Sequence, residues 1–460
     1  MTNNYKSTNV FLLRRIGLAP SKKLLSFLIT AILVTLPLGY AYNSVAIVLF
    51  VLYSLLSYKR KDITANYILL LPIVLFLLMT VSTLWSLDVT STVKALSKEA
   101  ALFFIPLAFF FNRKIIYISR RSICKGFSII MCFFAFFYIG RAFFRYMVTS
   151  DAEVFFYNEL ATPVVSAIYL SAIFSIAYFY FLSVKNKRFF DYLGLVLISV
   201  MLMLLLVKTI IAVNIALTSV YIVFFSSVSK SIRIGWGVFF LLLCSAFIYV
   251  SKTTTLFIAE YTSNIPEMEM VAPDRAQTNS VSVNEAWTKE EFSENDYFNG
   301  TAFRVYQARV FKELLQEDPK VWIGYGLNAS MKKIEEKSIE HNVFEGEAVN
   351  HRYARQNYHN QYIEVFSDLG IAGLLLVLAM LFINLKNSLE AKDFVHIAFA
   401  ILMIALLLTE SFLWRQRGVV MFTVLYCLFN TKLTYRSEIQ HYEKNTHNGG
   451  SRISGVSPVR

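Results

Sequence analysis

The sequence predicts an all-α, polytopic integral membrane protein with about 12 transmembrane helices and a large, partly helical extracytoplasmic loop. Three observations carry that expectation. The 460 residues are 56% hydrophobic and 16% aromatic, with a mean hydropathy of +0.52, too apolar for a soluble domain of ordinary composition. Apolar runs long enough to cross ~30 Å of hydrocarbon as helices recur along the chain. The net charge of +13 is gathered into short loops between those runs, where Lys and Arg set orientation. Membrane lipid is therefore an expected partner and nucleic acid is not.

In chain order the runs fall at about 24–41, 43–58, 67–85, 96–111, 126–143, 164–184, 191–207, 209–228 and 234–250, and then at about 369–385, 394–412 and 419–433. This divides the chain into an N-terminal membrane bundle of about nine spans (1–250), a large periplasmic loop (251–368), three C-terminal spans (369–433) and a disordered cytoplasmic tail (434–460). The basic start (Lys6, Arg14, Arg15, Lys22, Lys23) precedes the first run without a small-residue cleavage signal, and reads as a retained first helix. Lys59 to Lys61, Arg113 to Lys125, Lys185/Lys187/Arg188 and Lys230/Arg233 then fall on the same side as the N-terminus. By the positive-inside rule that side is cytoplasmic, with both termini, and the 251–368 loop lies outside.

A few cations on the outer side have no orienting job. They are Arg141 and Arg145 in GRAFFRY, Lys208 between two spans, Arg304, Arg309, Arg352 and Arg355 in the loop, and Arg415 and Arg417 in ESFLWRQRG. Within the loop, 265–298 is polar and lacks helical spacing, which predicts a mobile insertion. Phe303, Tyr306, Val310 and Leu314 predict an amphipathic helix over 301–317, stopped by Asp318-Pro319. WIGYGLN reads as a glycine turn, about 331–350 as a second charged insertion, and Arg355 to Asp368 as a helix leading His359 to the membrane, with the span starting at Leu369.

The chemistry points to phosphate. The sequence has no P-loop, GxGxxG, HExxH, GxSxG or paired CxxC, so neither a metal nor another cofactor is expected. Cys124, Cys132, Cys244 and Cys427 read as small buried residues. A lipid-linked diphosphate at the outer face needs cationic partners, with Arg chelating bidentately and Lys acting as a point charge. Glycosyl transfer also wants a base for the acceptor hydroxyl, and histidine suits it. His359 is the candidate base; Arg304, Lys208, Arg415 and Arg417 are the candidate diphosphate ligands; His351, Arg355, Glu364, Glu410 and Arg141 are weaker candidates.

HNQYIEVFSDLGIAGLLLVLAML (His359 to Leu381) resembles the signature of the O-antigen ligase and O-antigen polymerase superfamily, in which His-Asn-x-Tyr precedes a Leu-Gly-x-x-Gly helix start. Arg304 resembles the family's loop arginine, Pro319, Gly324 and Gly326 its following turn, and Glu410 to Phe422 its last outer turn; Lys208 stands where an arginine is usual. In VSAIYLS the tyrosine remains as Tyr169, without the family's frequent His-Pro. The resemblance implies a bacterial inner-membrane enzyme that moves a glycan from undecaprenyl diphosphate to an acceptor, inverting and without metal. The acceptor is expected to be lipid A-core, as in a ligase; a polymerase extending another lipid-linked repeat is the alternative. A transporter or flippase is the rival of another class, but no paired half-repeats or midplane-broken helices are evident. A non-catalytic scaffold would leave the outer cations unexplained.

Overall fold

The computed structural model describes residues 21–57, 67–231, 233–235, 237–238, 279–293, 295–343, 353 and 356–431. It is mostly helical. Five described helices are long and apolar enough to cross a membrane: Tyr40–Ser57, Tyr67–Leu84, Ile116–Thr149, Lys208–Phe225 and Gln361–Ala391. Ala167–Ser183, Phe189–Leu204 and Phe394–Thr409 are apolar but shorter. The run expected at 234–250 lies almost wholly outside the described residues, as does the 434–460 tail. The span expected at 96–111 is two helices, an amphipathic Val89–Glu99 capped by Asp88 and an apolar Ala101–Phe111.

Gln416–Asn430 is largely apolar and buried on nearly every side, as suits a helix that sits inside a bundle. The helices around it bury Phe50, Phe109, Phe174 and Phe399 together with its Phe422 in one continuous core. Many of their outward residues, such as Phe133, Phe144 and Phe190, are exposed and apolar, the pattern of a lipid-facing surface.

The polar segment before Gln361 forms a second, smaller core of Val281, Phe292, Phe298, Tyr306, Ile334 and Tyr358. Two expectations change here. Part of the stretch expected to be mobile, 279–298, folds as a strand, a short helix and a strand (Asn279–Val281, Val283–Thr288, Asp296–Phe298), and the two strands pair in parallel. Its buried residues Val281, Ala286, Phe292 and Phe298 have apolar partners that a local reading does not show. Part of the expected second insertion is the helix Ser330–Glu340, which buries Ile334 and Ser338 and ties Lys337 to Glu317 and Glu340 at 2.6 and 2.7 Å. The expected amphipathic helix is present as Gly300–Glu317, with Asn299 capping the Thr301 and Ala302 N–H groups.

His341 closes this small core. Its Nδ1 lies 3.2 Å from the Tyr306 hydroxyl and its Nε2 lies 3.2 Å from Glu313 Oε2. Burial pushes the imidazole below its ordinary value of 6.5, against the opposing pull of Glu313. A depressed folded value means that the unfolded chain binds the proton more readily, so this contribution is present above pH ~6.5 and is lost as pH falls. Limited proteolysis within 279–343 is therefore expected to run faster at pH 5 than at pH 7.5, and His341→Gln is expected to remove most of that difference.

Two parts of the fold meet at glycines. The helix expected to begin at Arg355 begins at Gln361, because Asn360 caps the Tyr362 and Ile363 N–H groups. It continues to Ala391 across a break at Gly370 (φ 64°, ψ −164°). The broken turn frees backbone groups, and the WIGYGLN turn takes them. Tyr325 N–H donates to Ser367 O (2.9 Å), Gly326 N–H to Asp368 O (2.8 Å) and Ile371 N–H to Val321 O (2.7 Å). The Asp368 carboxylate accepts from the backbone of Asn328 and Ser330. On its other side the turn is held by Trp85 Nε1 on Ile323 O, Leu87 N–H on Tyr325 O and Thr92 Oγ1 on Leu327 O.

Candidate functional site

Three chain segments converge where the small domain meets the bundle: the first turn of Gly300–Glu317, the Tyr358–Asn360 entry to the long helix, and the Thr409–Arg415 turn. Arg304 reaches across from the first. Its Nε donates to Thr409 O at 2.9 Å and its Nη1 to Gly300 O at 2.8 Å, while Nη2 stands 4.0 Å from Glu410 Oε2. His359 brings Nδ1 to 3.5 Å from that same oxygen, and its ring meets Phe303 edge-on. The side chains are 36%, 26% and 15% exposed for Arg304, His359 and Glu410, so a substrate can reach them while the carboxylate stays partly sheltered.

The backbone at His359 is unusual. Its φ is +48°, a region that non-glycine residues enter rarely, and holding it there costs about 1–3 kcal/mol. This geometry lets His359 turn away from the chain just before Asn360 starts the helix. A carboxylate only accepts, so Glu410 favours the tautomer with the proton on Nδ1, leaving the Nε2 lone pair for an incoming hydroxyl.

The other sequence candidates are placed differently. Arg417 is 5% exposed, and its guanidinium donates to the carbonyls of Leu36 (2.5 Å), Leu38 (2.7 Å) and Val164 (3.0 Å) while lying over the Tyr40 ring. It braces three segments. Arg417→Ala strands those carbonyls and is expected to cost about 3 kcal/mol or more, read as a lower melting temperature in detergent. Arg141 donates to Leu160 O and Ala161 O, and Arg145 pairs with Glu159, so both hold the 157–161 segment. Arg415 is exposed at the start of Gln416–Asn430.

Lys208 is exposed at the start of its helix. Hydrogen bonds Asn214–Ser175 and Tyr178–Thr218 set that helix parallel to Ala167–Ser183. Lys208 thereby stands level with Tyr169, whose hydroxyl donates to Phe412 O and whose ring stacks on Phe412 at 4.7 Å. It belongs to this end of the bundle, although no described contact joins it to Arg304 or His359. His351 and Arg355 lie outside the described residues.

Sequence reasoning passed over Tyr157. Its φ is +45°, and its phenol is pushed above the ordinary value by burial first and by Glu410 second, with Arg304 opposing, which sets it beside the cluster. A left-handed backbone at a tyrosine has no sequence signal.

Residues 193–378 match the O-antigen ligase family. This segment resembles an O-antigen ligase domain. No curated protein matches the chain. The matched segment contains Lys208, Arg304, His359 and Glu364, whereas Glu410, Arg415 and Arg417 lie beyond its end. The match supports O-antigen ligase or polymerase activity, with lipid-linked glycans as substrates, and the apolar helices agree with a membrane protein. Among the described residues no group of three His, Cys, Asp or Glu side chains is arranged to hold a metal.

Proposed function

We propose that the protein is an O-antigen ligase, which moves a glycan from undecaprenyl diphosphate to lipid A-core at the periplasmic face of the inner membrane. The observation that carries this reading is the convergence of His359 and Arg304, both within the segment that matches that family, on Glu410. His359 Nε2 takes the proton as the acceptor oxygen attacks the anomeric carbon. The bond from that carbon to the diphosphate breaks, and the electron pair leaves with the diphosphate. Attack opposite the leaving group inverts the centre. Arg304, Arg415 and Lys208 meet the charge that develops on the diphosphate, with guanidinium and ammonium groups in place of a metal. Arg417 acts as the brace that holds the turn carrying Arg415. The positive-inside rule, applied to the basic loops, supports cytoplasmic termini.

The test is a glycan gel of a knockout complemented with wild type, His359→Ala or Arg304→Ala, with membrane levels measured in parallel. A ligase leaves core without attached polymer while long lipid-linked polymer accumulates, and neither variant restores attachment. A single repeat remaining on the lipid identifies a polymerase, and an unchanged glycan profile rejects both activities.

A further inference from the structure

We propose that Glu364 is a positioning residue that holds the two halves of the transfer site in register, acting as a hydrogen-bond acceptor and not as a base; this rests on the glycosyl-transfer reading above. Glu364 is 0% exposed, so it cannot meet a substrate. One of its oxygens does two jobs. Oε2 accepts from the Tyr358 backbone N–H at 3.1 Å and from the Ser411 hydroxyl at 2.9 Å. Tyr358 immediately precedes His359, and Ser411 immediately follows Glu410. A single atom therefore ties together the residues flanking the His359 and Glu410 pair.

The tie is reinforced from the same helix. Gln361 Oε1 accepts from the Leu413 N–H at 2.7 Å, and Tyr362 donates to Ile404 O at 3.1 Å. The first turn of the long helix is thus a splint against the Ser411–Leu413 turn. It is needed because His359 sits in a left-handed conformation, which persists only where surrounding structure fixes it. The described hydrogen bond of the His359 backbone itself is a long one to the side chain of Asn357, at 3.3 Å. Glu364 Oε1 accepts nothing among the described residues, so Oε2 alone carries the function. A glutamine carbonyl can accept the same two bonds, and a leucine of similar size can accept neither.

The test compares wild type, Glu364→Gln and Glu364→Leu in membranes supplied with lipid-linked donor and acceptor. Loss of register by about 1 Å costs on the order of 10²-fold, so Glu364→Leu is expected to lower kcat by about that factor with KM within about threefold. Glu364→Gln is expected to recover to within about fivefold of wild type, with the acid limb of its pH profile unmoved. If Glu364→Gln falls as far as Glu364→Leu, or if the acid limb moves, Glu364 handles the proton itself and the proposal is overturned. Full activity of Glu364→Leu overturns it too.

A second readout needs no turnover: His359 in Glu364→Leu is expected to react several-fold faster with diethyl pyrocarbonate, followed by peptide mass spectrometry. If wild type transfers nothing, the proposed function fails, and the reaction rate of His359 still decides the role of Glu364, an unchanged rate overturning it. Should Glu364→Leu not fold, Ser411→Ala removes one bond and keeps the carboxylate. That variant is expected to lose about tenfold in kcat at a normal gel-filtration position, and an unchanged kcat there would overturn the proposal.

Discussion

Glu410→Gln is expected to lower kcat by about 10²–10⁴-fold while KM for the lipid-linked donor stays within about threefold. The size follows from what the carboxylate does. Glu410 Oε2 faces His359 Nδ1 at 3.5 Å and Arg304 Nη2 at 4.0 Å, so it selects the imidazole tautomer and aligns a guanidinium at once. Glutamine is nearly isosteric but can turn an N–H toward Nδ1. The imidazole would then accept there and carry its proton on Nε2, the atom that must receive one. A general defect in folding would lower the amount of active protein without this split, so kcat is to be normalised to folded protein by gel filtration. A Glu410→Gln enzyme with wild-type kcat would remove Glu410 from the mechanism.

Gly370→Ala is expected to leave little folded protein, a loss of about 4 kcal/mol or more. An added Cβ would lie 2.3 Å from the Trp322 carbonyl carbon and 2.5 Å from the Ile323 nitrogen. Both are backbone atoms pinned by the hydrogen bonds between the two segments, so neither can give way. The φ of +64° with ψ −164° adds strain for any residue with a Cβ. Gly140 supplies the control: its added Cβ meets nothing within 4 Å, and Gly140→Ala is expected to express normally. Thermal denaturation by fluorescence-detected gel filtration compares the two, and equal melting temperatures would contradict the interlock.

The parts legible in the sequence are those set by local pattern. Runs of apolar residues mark helices from Tyr40 to Asn430, and the spacing of Phe303, Tyr306, Val310 and Leu314 marks the helix that carries Arg304. The family motif singled out His359. The parts missed depend on contacts distant in sequence. Arg417 carries the same charge in the same turn as Arg415, and only its approach to the Leu36, Leu38 and Val164 carbonyls distinguishes a brace from a ligand. Polar-looking 279–298 folds because Phe292 and Phe298 find Tyr306, and the periodicity of a short strand-helix-strand unit is too brief to announce it. The long helix starts at Gln361 and not at Arg355 because the Asn360 side chain caps the Tyr362 and Ile363 N–H groups, which a helix-like spacing before it does not reveal.

The turn around Gly324 and Gly326 is stitched on one side to Ser367–Ile371 and on the other to Trp85–Thr92. That arrangement sets where related chains can be recombined. A chimera exchanging residues 279–343 alone would present a foreign turn to a native helix break and a native Ser82–Thr92 segment. An added Cβ at Gly326 would lie 2.7 Å from Ser86 Cα, so even one larger residue on either side fails to mate. An exchange that keeps these mated surfaces together therefore has to move residues 82–92, 279–343 and 356–371 jointly, three stretches separated in the gene but coupled in space.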